Sequence, residues 1–147
     1  GQFQGTIDRI VALAALMPIV AGMGGNAGTQ VLALMVRGLA LGQVGATNVQ
    51  ALLWKELRVA LMNGLMLGSI VALATWLWFH DPALFAVIGA AMTCNLLCAA
   101  LAGVLVPMAL KRMSLDPALA GGVILTTVTD VMGFLSFLGL ATLVLVR

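Results

Sequence analysis

The chain has 147 residues, of which 63% are hydrophobic and only 8% are charged, a composition that excludes an ordinary soluble domain. Its net charge of +2 is small and dispersed, so we expect no nucleic acid among its partners. The composition instead indicates an integral membrane protein that is surrounded by a lipid bilayer.

Long runs without charge divide the chain into four predicted transmembrane segments. Three runs carry no charge at all, at residues 10–36, 59–79 and 82–110, and the fourth, 117–146, contains only Asp130. Each run exceeds the roughly 20 apolar residues that cross a hydrocarbon core about 30 Å thick. Helices are expected because backbone polar groups in lipid must be satisfied internally and the runs are too long for barrel strands. The predicted helices lie at about 10–36, 57–79, 82–110 and 117–146.

The first predicted helix contains the segment PIVAGMGGNAGTQ, which begins at Pro18 and is unusually rich in glycine. Gly24 and Gly28 form the small-xxx-small spacing that lets helix backbones approach closely. Pro18, together with Gly22 and Gly25, weakens or bends a helix and frees backbone carbonyl groups. Such groups are tolerated at membrane depth only where they are buried in protein or line a water-filled cavity, so this segment is predicted to border a cavity.

The connections between the helices are short. The first, GLALGQVGATNVQALLW, is uncharged and is predicted to be an interfacial segment. In HDPAL and LDPAL an aspartate, Asp81 or Asp116, precedes a proline, so the aspartate can cap free amide groups while the proline occupies the first helical turn. Cys94 and Cys98, four residues apart in the third run, are predicted to be small buried packing residues.

Asp130, in the last helix, is the one ionisable group within the four runs. Such groups are unfavourable in the bilayer by about 2.5–3.5 kcal/mol and are functional candidates by default. Gly122, Thr126 and Gly133 share one face of the predicted helix with this carboxylate. Asp130 lies roughly 21 Å and Asn26 roughly 16 Å from the cytoplasmic ends of their helices, at about 1.5 Å per residue. The two side chains are therefore predicted to reach similar depths.

The distribution of positive charge predicts the orientation. Five of the seven Lys and Arg residues lie near the first and third connections, so loops 37–58 and 111–116 are assigned to the cytoplasm. Both ends of residues 1–147 then lie outside a multi-pass protein of the cell inner (plasma) membrane. An outside N-terminus without a signal sequence leads us to expect at least one further transmembrane helix upstream.

The candidate ligands are a carboxylate, hydroxyls, an amide and carbonyls. These hard oxygen donors suit Mg²⁺, Ca²⁺ or Mn²⁺ rather than zinc or copper. One acid per chain is little charge for a divalent ion, so two chains that each contribute Asp130 about a two-fold axis are predicted. No enzyme activity and no catalytic residues are expected, because an intramembrane reaction needs two acids, or a base beside a nucleophile.

Five segments together resemble the transmembrane domain of the MgtE family of magnesium channels and transporters. They are PIVAGMGGNAGTQ, RGLALG, WKEL, LDPALAGG and TTVTDVMGF. The resemblance covers nearly the whole chain and implies the second to fifth helices of a five-helix domain. By the same resemblance, the first helix and the cytosolic regulatory domains of many members are absent from this sequence.

The resemblance also implies a homodimer whose pore is lined by the first and last helices of this chain. Asp130 corresponds to the selectivity aspartate of the family, which would hold hydrated Mg²⁺ as the transported ion. Thr126, Gly25, Asn26 and Thr29 fall at positions that line the same site. The chain departs from the family at Gly122, where an asparagine is frequent, and this removes one side-chain ligand near the cytoplasmic mouth.

The residues alone leave three functions open. The first is permeation of divalent cations, with magnesium as the best guess, through a channel or a carrier. The second is a coupled exporter or exchanger in which Asp130 binds a proton and a cation in alternation. The third is a membrane scaffold subunit that transports nothing, in which Asp130 pairs with a basic residue of another protein.

Overall fold

The structure, a computed structural model, describes residues 2–45 and 47–145 and contains four helices within them. The helices are α1 (Gln2–Ala40), α2 (Val49–Phe79), α3 (Pro82–Arg112) and α4 (Pro117–Leu145). By length and composition all four can cross a membrane. The predicted all-α architecture with four membrane-spanning helices is confirmed.

Three helices extend beyond the predicted limits. α1 runs from Gln2 to Ala40 rather than over 10–36, α2 begins at Val49 rather than at 57, and α3 ends at Arg112 rather than at 110. Charged residues mark where a chain leaves the lipid, but a helix continues into the water beyond that point because its backbone bonds are internal. The first connection is therefore only residues 41–48, and most of the predicted interfacial segment is helical. The predicted helix end at 146 lies outside the described residues.

Aspartate caps start α3 and α4, as predicted. The Asp81 carboxylate accepts a hydrogen bond of 3.0 Å from the Ala83 amide, and the Asp116 carboxylate accepts one of 3.0 Å from the Ala118 amide. In α3 the proline occupies the first turn, where it removes no helical hydrogen bond. Each carboxylate thus satisfies a backbone donor that the helix itself leaves free.

A two-residue link, His80 and Asp81, joins α2 to α3. His80 has a φ of 55° and its amide donates a hydrogen bond of 2.7 Å to the Trp76 carbonyl, which ends α2 in a left-handed cap. The turn is so short that α2 and α3 form a tight antiparallel pair.

α3 is the central helix, and α1, α2 and α4 all pack on it. Glycines make these contacts close. A Cβ at Gly64 would lie 2.9 Å from the Thr93 Cα, and a Cβ at Gly103 would lie 2.8 Å from the Val31 side chain. The hydrophobic effect does not drive helices together in lipid, so such van der Waals contact between backbones is a principal source of packing energy.

The cysteines are less buried than predicted. Cys94 is exposed and Cys98 is half-buried, so the expectation of burial is wrong for Cys94. The reason is local, because Cys94 borders an open cavity of about 420 Å³ between α2 and α3, lined also by Gly68 and Phe85. The i, i+4 spacing correctly put both sulfurs on one face, but it could not tell whether another helix covers that face.

We predict that Gly64→Ala destabilises the α2–α3 pair by about 1–3 kcal/mol, because the added methyl would press on backbone atoms that cannot move away. Gly139→Ala in α4 is the matched control, since a Cβ at Gly139 has no neighbouring atom within 4 Å. Thermal unfolding in detergent would compare them. Equal unfolding temperatures for the two variants would contradict the close α2–α3 contact.

Candidate functional site

α1 and α4 pack against each other along a line that we call the α1–α4 seam. It is defined by two pairs, Gly25 with Thr129 and Gly28 with Leu125. A Cβ at Gly25 would lie 3.9 Å from the Thr129 hydroxyl oxygen, and a Cβ at Gly28 would lie 3.2 Å from the Leu125 side chain. The residue numbers rise in α1 as they fall in α4, so the two helices are antiparallel.

Asn26 and Asp130 lie directly beside the Gly25–Thr129 pair, one on each helix. Both are close to the middle of their membrane-spanning helices, which agrees with the similar depths predicted from the sequence. Asn26 is exposed and Asp130 is half-buried. In the described part of the chain, the Asp130 carboxylate has no hydrogen-bond or ion-pair partner. The seam therefore carries an amide and a carboxylate at the same position along the helix axes.

Two threonines on the same face offer hydroxyl oxygens. Thr29 donates to the carbonyl oxygens of Gly25 (3.0 Å) and Asn26 (2.9 Å), and Thr126 donates to the carbonyl oxygen of Gly122 (2.8 Å). Both side chains are exposed. Because each hydroxyl proton is used within its own helix, the oxygen lone pairs remain as acceptors. Such acceptors suit a cation or the water molecules around it.

The predicted glycines divide into two groups. A Cβ at Gly22 or Gly122 would meet nothing within 4 Å, so these positions are open on the chain surface. Gly24 and Gly133, in contrast, are closed by the Asn95 side chain of α3. Gly22 and Gly122 therefore leave space on the outer face of the seam. Gly24 and Gly133 instead let α1 and α4 pack closely on α3.

Pro18 is exposed and lies inside α1, which remains helical on both sides of it. Its ring has no amide proton, so the carbonyl four residues earlier loses its helical donor. The predicted weakening is therefore confined to a single hydrogen bond and does not interrupt the helix. The role of Pro18 in shaping a pore stays a prediction.

Two buried polar residues near the site, Thr129 and Asn95, were not predicted from the sequence. Thr129 is 0% exposed and its hydroxyl donates to the Thr126 carbonyl oxygen at 3.1 Å. Asn95 is also 0% exposed and lies where α3 meets α1 and α4. An amide inside a run of apolar residues was the available signal for Asn95, because polar side chains in membrane helices are commonly placed to bond across helices.

A third polar residue, Glu56, is only 8% exposed although it lies in the second turn of α2. It borders a groove of about 310 Å³ between α1 and α2, which Gln30 and Asn63 also line. In the sequence analysis Glu56 appeared only within the segment WKEL. Its burial follows from its place on the face of α2 that Ala60 and Gly64 continue, which is buried.

The described residues contain no group of three His, Cys, Asp or Glu side chains that could hold a metal ion. Around Asp130 the donor set is one carboxylate, an amide and the threonine oxygens. Such a set is chemically suited to hard cations that keep part of their water shell.

Comparison with known proteins identifies the family. The model of the MgtE family, described as a divalent cation transporter, matches residues 17–140. The chain belongs to the MgtE family. This confirms the resemblance seen in the sequence. The MgtE segments that carried it lie on α1 and the residues just after it, on α2, and on α4 and the residues just before it.

Curated relatives agree with the MgtE assignment. The chain is 31% identical over 140 residues to a magnesium transporter MgtE of Bacillus subtilis, a match that covers 95% of the chain and 31% of the relative. It is 33% identical to the magnesium transporters MgtE of Enterococcus faecalis and Thermus thermophilus, with 96% and 97% of the chain covered. These matches cover 31% and 32% of the two relatives, so the chain spans about a third of their length.

Membership of the MgtE family, together with four membrane-competent helices, makes the chain a multi-pass protein of the plasma membrane. The family is one of transporters, which is consistent with a function other than catalysis. The assignment of loops 37–58 and 111–116 to the cytoplasm stays a prediction.

We predict that Gly25→Leu separates α1 from α4, because its side chain would extend into the Thr129 hydroxyl beyond the 3.9 Å available to a Cβ. Gly25→Ala should be tolerated. The unfolding temperature in detergent should fall by several degrees for leucine only. Gly22→Leu is the control on an open face, and an equal loss there would contradict the seam as the close contact.

Proposed function

We propose that this chain forms part of a pathway for divalent cations, with Mg²⁺ as the transported ion, and that α1 and α4 line a pore shared by two copies. The observation that carries the proposal is the polar outer face of the α1–α4 seam. There Asn26, Thr29 and Thr126 are exposed around the half-buried Asp130, near the middle of the membrane-spanning helices.

Such a face is incompatible with surrounding lipid. Polar side chains and an unpaired carboxylate at this depth are stable only if protein covers them or water reaches them. A second copy of the chain related by a two-fold axis would bring the same face opposite itself and enclose a polar path. Two Asp130 carboxylates would then share the ion and supply charge to match it.

The donor set favours a hydrated ion. Mg²⁺ releases its water reluctantly and is usually bound by one or two carboxylates with several waters retained. The water molecules of the ion can donate to the hydroxyl oxygens of Thr29 and Thr126, whose protons already point into their own helices. Each positive charge gains about 2.3 kcal/mol per 100 mV when it moves inward along the membrane potential.

The names of the relatives support magnesium as the ion, since all three are magnesium transporters. Because the chain covers about a third of each relative, its ion and its assembly are proposals that rest on the seam. Gly122 is the position at which the proposed pore departs from the family, where an asparagine is frequent. With no side chain and open space around it, this position leaves the cytoplasmic end of the seam wide.

We predict that Asp130→Asn lowers Mg²⁺ uptake into liposomes by more than about tenfold, because it removes the charge at the proposed ion while keeping the size of the side chain. Membrane insertion and unfolding temperature should not change. Asp8→Asn is the control, since Asp8 is an exposed acid outside the membrane-spanning part of α1. Unchanged uptake by Asp130→Asn would overturn the site.

We also predict that the wild-type protein prefers Mg²⁺ over K⁺ in a bilayer recording and that this preference collapses in Asp130→Asn. Two carboxylates attract a divalent ion more strongly than a monovalent one, so the preference depends on their charge. A variant that still preferred Mg²⁺ would show that carbonyl oxygens and Asn26 select the ion. Unitary currents in the same recording would distinguish a channel from a carrier.

A further inference from the structure

Asn95 lies in the interior of the bundle, at the junction of α1, α3 and α4. It is 0% exposed. Its amide nitrogen donates a hydrogen bond of 2.9 Å to the Val20 carbonyl oxygen of α1. Its amide oxygen is buried and has no hydrogen-bond partner among the described residues. This orientation of the amide is fixed, because the reverse one would put two oxygens against each other.

Glycines on two helices leave room for this amide. A Cβ at Gly24 would overlap the Asn95 amide nitrogen and lie 2.8 Å from Cγ. A Cβ at Gly133 would lie 3.1 Å from the same nitrogen and 3.3 Å from the Ala21 Cα. The Asn95 side chain therefore fills a space that exists only because α1 and α4 both carry glycine at this level.

Packing alone does not account for an asparagine at this position. A buried carbonyl oxygen without a partner is unfavourable, and a leucine, which has the same number of side-chain heavy atoms, would carry no such atom. What leucine cannot supply is the hydrogen bond to the Val20 carbonyl, which ties the side chain of α3 to the backbone of α1. The asparagine thus fixes a distance between helices while it leaves one of its own atoms unsatisfied.

The junction is close to the candidate ion site along both helices. Gly24 is two residues from Asn26, and Gly133 is three residues from Asp130. Any shift of α1 or α4 relative to α3 at this junction would carry those ligands with it, because a helix moves as a rigid element over one turn.

We propose that Asn95 is a positioning residue for ion permeation, in which its amide sets the separation of α1 and α4 at the depth of Asp130. The inference rests on the proposed transport function. Asn95 does not touch the ion. It acts through the Val20 carbonyl and through the space opposite Gly24 and Gly133, and so determines how wide the seam is where the ligands lie.

Asn95→Leu tests the proposal, because it keeps the number and branching of the side-chain heavy atoms and removes the hydrogen bond. Flux of Mg²⁺ into liposomes should fall about threefold to tenfold, the range expected for loss of one coupling between membrane helices. The ratio of Mg²⁺ to Ca²⁺ flux should change as well, when equal amounts of folded protein are compared. A structural role alone would leave the ratio unaltered. Unchanged flux and ratio would overturn the proposal.

A second set of variants decides the question even if Asn95→Leu fails to fold. Gly24→Ala should lower flux because its methyl overlaps the amide, and Asn95→Ala should lower flux because it empties the space. The double variant should recover part of the loss, since the new methyl occupies the vacated volume. If the flux losses of the two single variants simply multiply in the double variant, the contact between Gly24 and Asn95 does not determine the flux. Gly22→Ala combined with Asn95→Ala is the control and should give no recovery.

Asp130→Asn is measured in the same liposomes to separate the two proposals. If Asp130→Asn loses flux and the Asn95 and Gly24 variants do not, only the positioning role is wrong. If Asp130→Asn conducts like the wild type, the proposed ion site itself is wrong.

Discussion

Helix packing in lipid depends on close backbone approach, and in this chain that approach is concentrated on α3. Apolar side chains gain little from one another when lipid is equally apolar, so contact must come from dense van der Waals packing and a few interhelical hydrogen bonds. α2 packs on α3 at Gly64 of α2, and α1 packs on α3 at Gly103 of α3. Both α1 and α4 contact α3 around Asn95. The other three helices are therefore held in place by one central helix.

This arrangement gives α1 and α4 two different faces. Their inner faces bind α3 through glycine and buried apolar side chains such as Phe137 and Val20, which are 0% and 1% exposed. Their outer faces carry the amide, the hydroxyls and the carboxylate. A closely packed inner face permits the outer face to be polar and open without loss of the fold, which is the arrangement that the proposed permeation site requires.

Much of the fold could be predicted from the sequence. Runs without charge marked the segments that lie in lipid, and Asp-Pro pairs marked the helix starts where amide groups need a cap. The matching depths of Asn26 and Asp130 followed from counting residues from the cytoplasmic ends, since helical rise is constant. The start of α2 could not be predicted, because Lys55 and Glu56 mark the edge of the lipid and not the end of helical bonding. The burial of Asn95 also escaped prediction, because it depends on which helices face one another.

The short link between α2 and α3 has a consequence for membrane insertion. His80 and Asp81 are the only residues between these helices, and so short a link favours their insertion into the bilayer together as a hairpin. Their charged ends, with Lys55 on α2 and Lys111 on α3, then remain on one side. In the predicted orientation only the short polar tip would cross the hydrocarbon core during biogenesis, and residues added to that tip would raise the energy barrier of translocation.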